Sequence, residues 1–308
     1  MTLDRIFEDI RTDRVKKIIL DSDMANEMDD QYALAYCIGS KKLNLLSVNA
    51  APFHGVKNLD QRGGMLASYN EAVRILEVCQ KLDEIPVYEG SDREFTSEDN
   101  FAPIDSPAAR NIIKTVKESD EIVYVLTTGC CPNIISAYFM DPSIAENMCV
   151  IWLGGNTFEN VECTECNLYM DYRAGQFLMN LPIPLLMLPA MGPIKENGTQ
   201  VLSVNFDWLR KIKGDKPQHD FFRKDFPIAF YGNKIDDTST TWSHTIWDVA
   251  APAVLTVPDA FTFKIIPAPI FGDDEKYAFD DTRRKIAYMV KLDKNIVLND
   301  CFEAISNL

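Results

Sequence analysis

The chain has 308 residues, 46% hydrophobic, 25% charged and 10% aromatic, with 14 Gly and 16 Pro. That mix sits near the globular average and excludes both intrinsic disorder and a fibrous repeat. Lys and Arg total 31 against 46 Asp and Glu, a formal charge of -15, so the surface repels phosphate backbones and anionic membranes at long range. Neither nucleic acid nor a membrane is expected as a partner. A chain of this length buries roughly 75% of the surface its unfolded form exposes, so a large core forms without staples.

Cys37, Cys79, Cys130, Cys131, Cys149, Cys163, Cys166 and Cys301 are scattered, most of them within apolar runs where a thiol packs as a small hydrophobe. That usage points to a reducing compartment. Met1 to Lys17 mixes acids and bases without an apolar stretch long enough for a secretory core, so a cytoplasmic location is expected. The longest greasy segment, Phe177 to Ile194, contains Asn180 and four prolines and reads as a strand with flanking turns, not a membrane span.

In chain order, Lys17 to Asp21 is a buried strand ending in a carboxylate, and Asp29 to Ile38 a helix with acids in its first turn. Leu43 to Asn49 is a strand, Leu59 to Leu82 a long helix and Ile85 to Tyr88 a short strand. Pro107 to Glu118 is a helix with Pro at its start, followed by strand Ile122 to Thr128 and helix Pro132 to Phe139. Strand Cys149 to Leu153, helix Tyr172 to Asn180 and strand Pro184 to Leu188 complete a βα-repetitive region. The polar, Pro-containing loop Ser91 to Ser106 reads as a lid or binding loop. Beyond Met191 the pattern is mostly helical, through Asn205 to Ile212, Asp220 to Tyr231 and Thr245 to Leu255. Strands Phe261 to Ile266 and Lys285 to Val290 and a helix from Lys294 follow. No linker or composition break divides the chain, so one α/β domain over residues 1–308 is expected, with a mostly parallel sheet flanked by helices.

The turn leaving the first strand carries Asp21, Asp23, Glu27, Asp29 and Asp30. In a parallel sheet that turn lies at the carboxyl edge, where α/β folds hold ligands. Two like charges ~4 Å apart repel by about 4 kcal/mol at an effective dielectric near 20, and a divalent cation removes that cost. Helix capping by Asp29 and Asp30 with Glu27 in solvent is the plainer reading, but it leaves Asp21 and Asp23 unexplained. Oxygen donors without His favour Ca²⁺ or Mg²⁺ over zinc. The stretch is no EF-hand, because Asn26 stands where a Gly is needed and Tyr32 where a bidentate Glu is needed.

The acidic DxD…DD cluster and the following DDQYALAY helix resemble those of the nucleoside hydrolases, the inosine-uridine preferring N-ribohydrolases. The likeness continues in order through Val125 to Asn133 (VLTTGCCPN), Ile151 to Asn156 (IWLGGN), Thr164 to Asn167 followed by Asp171, and Ile246 to Ala250 (IWDVA). The resemblance implies a Rossmann-like nucleoside hydrolase fold with additional C-terminal helices. It also implies a Ca²⁺ held by Asp23, Asp30, Asp248 and the Thr128 carbonyl. Asp29 is then the general base and Asp21 supports the cluster, while Glu165, Asn167 and Asn160 contact ribose. Such an enzyme splits the N-glycosidic bond of a ribonucleoside into ribose and base, and carboxylates around the sugar suit the positive charge that develops there. Dimers or tetramers are implied as well.

The chain departs from the family pattern in several places. Met24 to Met28 makes the acidic loop two residues longer, Thr164 and Cys166 replace Ala and Phe, and Asn160 is one position off the family spacing. Trp247 stands where many members place the His that protonates the leaving base. His244, four residues before Asp248, is the candidate substitute for that acid, with a helix-cap or surface position as the alternative. Trp247 is either a stacking surface for the base or core. Without an assured acid, a pyrimidine or an activated leaving group is favoured over a purine. His54 reads as a loop residue, and Cys163-Thr164-Glu165-Cys166 lacks the second pair a zinc site needs. Two alternatives stay open. One is a haloacid-dehalogenase-like phosphatase using Asp21 and Asp23, with Gly272-Asp273-Asp274 as its late acidic motif; the other is a catalytically silent ribose- or calcium-binding homologue.

Overall fold

The computed structural model describes residues 1–98, 100–194 and 198–308. The apolar runs of the first two thirds become parallel strands: β1 (Lys16–Ser22), β2 (Leu43–Ala50), β3 (Val87–Tyr88), β4 (Val123–Thr127), β5 (Met148–Leu153) and β6 (Leu185–Leu188). The short pair β7 (Ser203–Val204) and β8 (His244–Thr245) lies outside the main sheet, as do β10 (Ile270–Phe271) and β11 (Tyr277–Ala278). Two long strands, β9 (Phe261–Pro267) and β12 (Lys285–Leu292), complete the main sheet in the order β3-β2-β1-β4-β5-β6-β12-β9. Every neighbouring pair in it is parallel except β12 with β9. The run 3-2-1-4-5-6 is the doubly wound order, so the strand order reverses between β1 and β4 and opens a crevice at their carboxyl ends.

Strands buried on both faces explain the near-continuous hydrophobic runs. On one face pack α1 (Leu3–Ile10), α2 (Asp30–Gly39), α3 (Gln61–Val78) and the C-terminal helix Lys294–Ile305. On the other lie α4 (Pro107–Glu118), α5 (Pro132–Met140), the short α6 (Cys166–Met170) and α7 (Tyr172–Asn180). The end of α2 meets the C-terminal helix so closely that a Cβ at Gly39 would lie 2.0 Å from the Ala304 carbonyl oxygen.

Some expected elements shift. The long helix starts at Gln61, after Asp60 caps it by accepting the Gly63 N–H, and ends at Val78. The helix expected from Thr245 begins instead as β8, passes through a 3₁₀ turn at Trp247–Val249 and becomes α-helical at Ala250–Thr256. The segment expected as Asp220 to Tyr231 starts at Pro217 and contains a π-turn at Phe221–Asp225. The loop Ser91 to Ser106 is not a lid over the site in its described part. Phe95 is buried edge-on against Phe139 and Phe177, and the Ile104 N–H donates to Ser136 Oγ, which fixes the loop onto the helical layer.

Asp171 joins that loop to the start of α7. Its carboxylate accepts the N–H groups of Ala174 at 2.9 Å and Phe95 at 3.1 Å, while burial pushes its pKa up to about 7. A carboxyl that holds its proton more tightly when folded contributes stability below the unfolded value, and that contribution is lost as pH rises through the folded value. The native protein is therefore expected to lose stability between about pH 4 and pH 7 by ~3 kcal/mol more than Asp171→Asn, which cannot ionise. Denaturant melts across that range check this, and parallel curves would exclude a buried titrating Asp171.

Candidate active site

The ends of β1 and β4 are laced together. The Thr128 N–H donates to the Asp21 carbonyl at 2.9 Å and the Ala51 N–H to the Ser22 carbonyl at 2.8 Å. The chain then turns sharply, the Asn26 N–H closing on the Asp23 carbonyl while Asn26 Nδ2 donates to Asp23 Oδ2 at 2.9 Å. Met24 and Met28 are fully buried and Gln31 Nε2 donates to the Met24 carbonyl, so the longer acidic loop is packed in place. With its two methionines inward, the loop presents Asp23, Asn26, Glu27 and Asp29 to one pocket.

Asp29 occupies the N-cap position of α2, yet its side chain makes no cap bond. Its carboxylate turns into the pocket, where the backbone N–H of Asp248 bonds it. The Asp30 carboxylate accepts hydrogen bonds from Ser22 Oγ at 2.5 Å and Thr128 Oγ1 at 2.9 Å, and it pairs with the Asp248 side chain. Asp248 arrives from the 3₁₀ turn near the far end of the chain. One carboxylate oxygen each from Asp29, Asp30 and Asp248 lie within 4.8 Å of one another. Oxygens this close can share one hard cation, so the set is compatible with a metal site. Asp23 lines the same pocket, as does Thr128.

These carboxylates are buried and crowd one another. Burial, then the charges of Asp30 and Asp29, raises the pKa of Asp23; burial with Asp30 and Glu27 raises Asp29; burial with Asp29, Asp30 and Asp23 raises Asp248. Asp30 is lifted to about 6 by burial, against the hydrogen bonds it accepts. Among the described residues no Lys or Arg lines the pocket. Like charges without a counter-charge from the chain are the electrostatic condition that a hard divalent cation satisfies.

The opposite wall comes from β5 and α6. Glu165 caps α6 and accepts the N–H groups of Asn167 at 2.8 Å, Gly155 at 3.0 Å and Leu168 at 3.3 Å, while burial raises its pKa to about 7. Asn167 Nδ2 bridges the carbonyls of Thr128 and Leu153, both at 3.0 Å, tying β4 to β5 beneath the pocket. Leu153, Ala190, Met191 and Trp247 add an apolar side.

Three candidate residues stand outside the lining. Asp21 is fully buried, its Oδ2 bonded by Asn133 Nδ2 at 3.0 Å, and burial raises its pKa to about 7. Asn160 donates from its side chain to the Met191 carbonyl at 3.0 Å. His244 packs between Phe230, Tyr231 and Trp247, with Nδ1 bonded to the Tyr231 hydroxyl at 2.8 Å and Nε2 3.8 Å from the Glu27 carboxylate. Burial lowers its pKa to about 4, so the imidazole is uncharged at neutral pH. Asp273, from the late acidic motif, sits at the surface in an ion pair with Arg173. Glu27, which the capping alternative placed in solvent, lines the pocket, as its place in the acidic cluster suggested. Leu153 ends β5, and Ala190 and Met191 follow β6, positions that are themselves a site signal in parallel sheets.

The sequence profile of the family described as inosine-uridine preferring nucleoside hydrolase matches residues 18–297. The chain belongs to the nucleoside hydrolases. It is 26% identical over 197 residues to the pyrimidine-specific ribonucleoside hydrolase RihB of Escherichia coli, a match covering 56% of this chain and 59% of that protein. Its fold is shared with the purine-preferring ribonucleoside hydrolase from Gardnerella vaginalis (TM-score 0.70, 21% identity, 94% of this chain and 98% of the other). An inosine-guanosine nucleoside hydrolase aligns with TM-score 0.72 and 13% identity over 94% of this chain and 98% of the other. Among the described residues of this nucleoside hydrolase, no helix is long and apolar enough to cross a membrane.

Gly155 links β5 to the Glu165 wall of the nucleoside hydrolase pocket. Its φ is +70°, and an added Cβ would lie 2.8 Å from Met187 Cε. Gly155→Ala is expected to destabilise the protein by about 1–3 kcal/mol, seen as a lower melting midpoint. An unchanged midpoint would show that the turn relaxes freely.

Proposed function

We propose that this chain is a Ca²⁺-dependent N-ribohydrolase that releases free ribose and a base from a ribonucleoside or related ribosyl compound. The observation that carries this reading is the convergence of Asp29, Asp30 and Asp248 within 4.8 Å at the switch point of the sheet. Asp23, Asp30, Asp248 and the Thr128 carbonyl are the residues that would hold the ion. A cation held there would supply Lewis acidity, lowering the pKa of a water molecule and favouring hydroxyl oxygens of the sugar.

The remaining chemistry belongs to the chain. Asp29, free of capping duty, takes the proton from the water that attacks the anomeric carbon. Glu165 is fixed by backbone N–H groups and offers its remaining lone pairs to a ribose hydroxyl. Asn167 spends its amide N–H groups on two carbonyls, which leaves its oxygen for a second hydroxyl. As the C–N bond stretches, positive charge grows on the sugar ring, and the surrounding carboxylates stabilise it. A phosphatase reading is disfavoured by the seclusion of Asp21 and by the surface position of Asp273 outside the pocket lining.

Uridine, cytidine and inosine are expected to yield reducing sugar, EDTA to abolish that yield, and p-nitrophenyl phosphate to remain intact. Phosphate release would support the phosphatase, and ribose binding without turnover would support a silent homologue. Asp29→Asn is expected to lower kcat roughly a thousandfold while calorimetric Ca²⁺ binding persists. An unchanged rate would remove Asp29 from the role of base.

A further inference from the structure

The aspartate cluster accounts for metal and transition-state charge, but the pocket holds more negative charge than that task requires. Glu27, carried by the lengthened loop, lines the pocket without belonging to the three-carboxylate cluster, and Glu165 faces it from the other wall. A divalent ion cancels two charges of a wall built from Asp23, Glu27, Asp29, Asp30, Glu165 and Asp248. What remains is a negative chamber with an apolar side of Leu153, Ala190, Met191 and Trp247.

Among the described residues, no His, Lys or Tyr lines the chamber to protonate a departing base, and the Glu165 carboxyl is held by three backbone N–H groups. Trp247 occupies the lining position next to Asp248, while His244 lies behind the lining with Nδ1 committed to Tyr231. A neutral purine or pyrimidine departs as an anion unless it is protonated. An aromatic base attached through a quaternary nitrogen needs no proton, because it leaves neutral.

We propose that the substrate is a ribosyl compound with a cationic aromatic leaving group, an N-ribosylpyridinium, selected by Glu27 and the Trp247 side of the pocket. This rests on the N-ribohydrolase reading. The C1′–N bond breaks with its electron pair passing to nitrogen, which cancels the ring's positive charge and releases a neutral pyridine. A water oxygen bonds to C1′, and the water proton passes to Asp29 and then to solvent, so the products are ribose, neutral base and one proton. Trp is the strongest aromatic partner for an organic cation, and a carboxylate close to that cation adds Coulomb attraction that a neutral nucleoside does not receive.

The test compares kcat/KM for ribose release from nicotinamide riboside, uridine and inosine in the Ca²⁺-loaded protein. The ribosylpyridinium is expected to exceed both neutral nucleosides by at least about tenfold, and Glu27→Gln to reduce that preference about tenfold through KM, the scale of one short-range charge. Because half of the Glu27 side chain is exposed, the neutral isostere is compatible with the fold. Faster cleavage of uridine or inosine than of the cation would overturn this substrate class and leave the hydrolase reading intact. A preference unmoved by Glu27→Gln would overturn the role of Glu27. Absence of ribose from all three substrates would instead overturn the hydrolase reading itself.

Discussion

The arrangement turns on mutual repulsion among buried carboxylates at the end of β1. Asp23, Asp29, Asp30 and Asp248 are each almost wholly removed from water, and the charges of Asp23, Asp29 and Asp30 raise the cost of ionising their neighbours. Such a cluster is costly to fold around unless charge of the opposite sign enters it, and the described lining supplies no Lys or Arg. Much of the surrounding structure holds these oxygens together. Ser22 and Thr128 hydroxyls grip Asp30, backbone N–H groups grip Glu165, and Asn133 donates to one oxygen of the secluded Asp21. Local stability is thereby exchanged for a site that can grip a cation and a polyol.

The doubly wound order makes this possible. Parallel strands deliver β1, β4 and β5 with their carboxyl ends side by side, so acids that follow one strand meet a carbonyl and an amide that follow the next. The C-terminal segment then brings Asp248 over the crevice from the opposite end of the sequence. A short 3₁₀ turn, and not a regular helix start, aims it: Ile246 donates its N–H to the Leu202 carbonyl, which pins the turn to the preceding loop.

Legibility in the sequence followed how local each determinant is. The buried strands announced themselves as unbroken apolar runs, and Pro107 and Pro132 marked helix starts that the structure keeps. The acidic cluster was visible because its members are neighbours. The N-terminal helix Leu3–Ile10 also carries a readable stripe, Leu3, Ile6, Phe7 and Ile10, with Ile6 and Ile10 buried, yet it is absent from the elements expected from the sequence. Less legible were orientations set by distant packing. Whether Glu27 points to water or to the pocket depends on Met24 and Met28 entering the core. Whether His244 is an acid or a neutral packed ring depends on Phe230, Tyr231 and Trp247 closing around it.

Those two nonlocal outcomes belong to one physical change. Placing Trp247 in the lining puts an aromatic surface beside the late aspartate and leaves the nearest imidazole dry and uncharged behind it. Lengthening the first acidic loop adds a carboxylate to the same chamber. Each alteration alone weakens a general-acid route, since an aromatic ring donates no proton to a heterocycle and an extra anion destabilises a departing anionic base. Together they favour a leaving group whose charge is positive before the bond breaks and absent afterwards, because binding then uses the surplus negative wall and departure requires no proton. Glu27 in the acidic loop and Trp247 before the late aspartate therefore form a coherent pair within one lining.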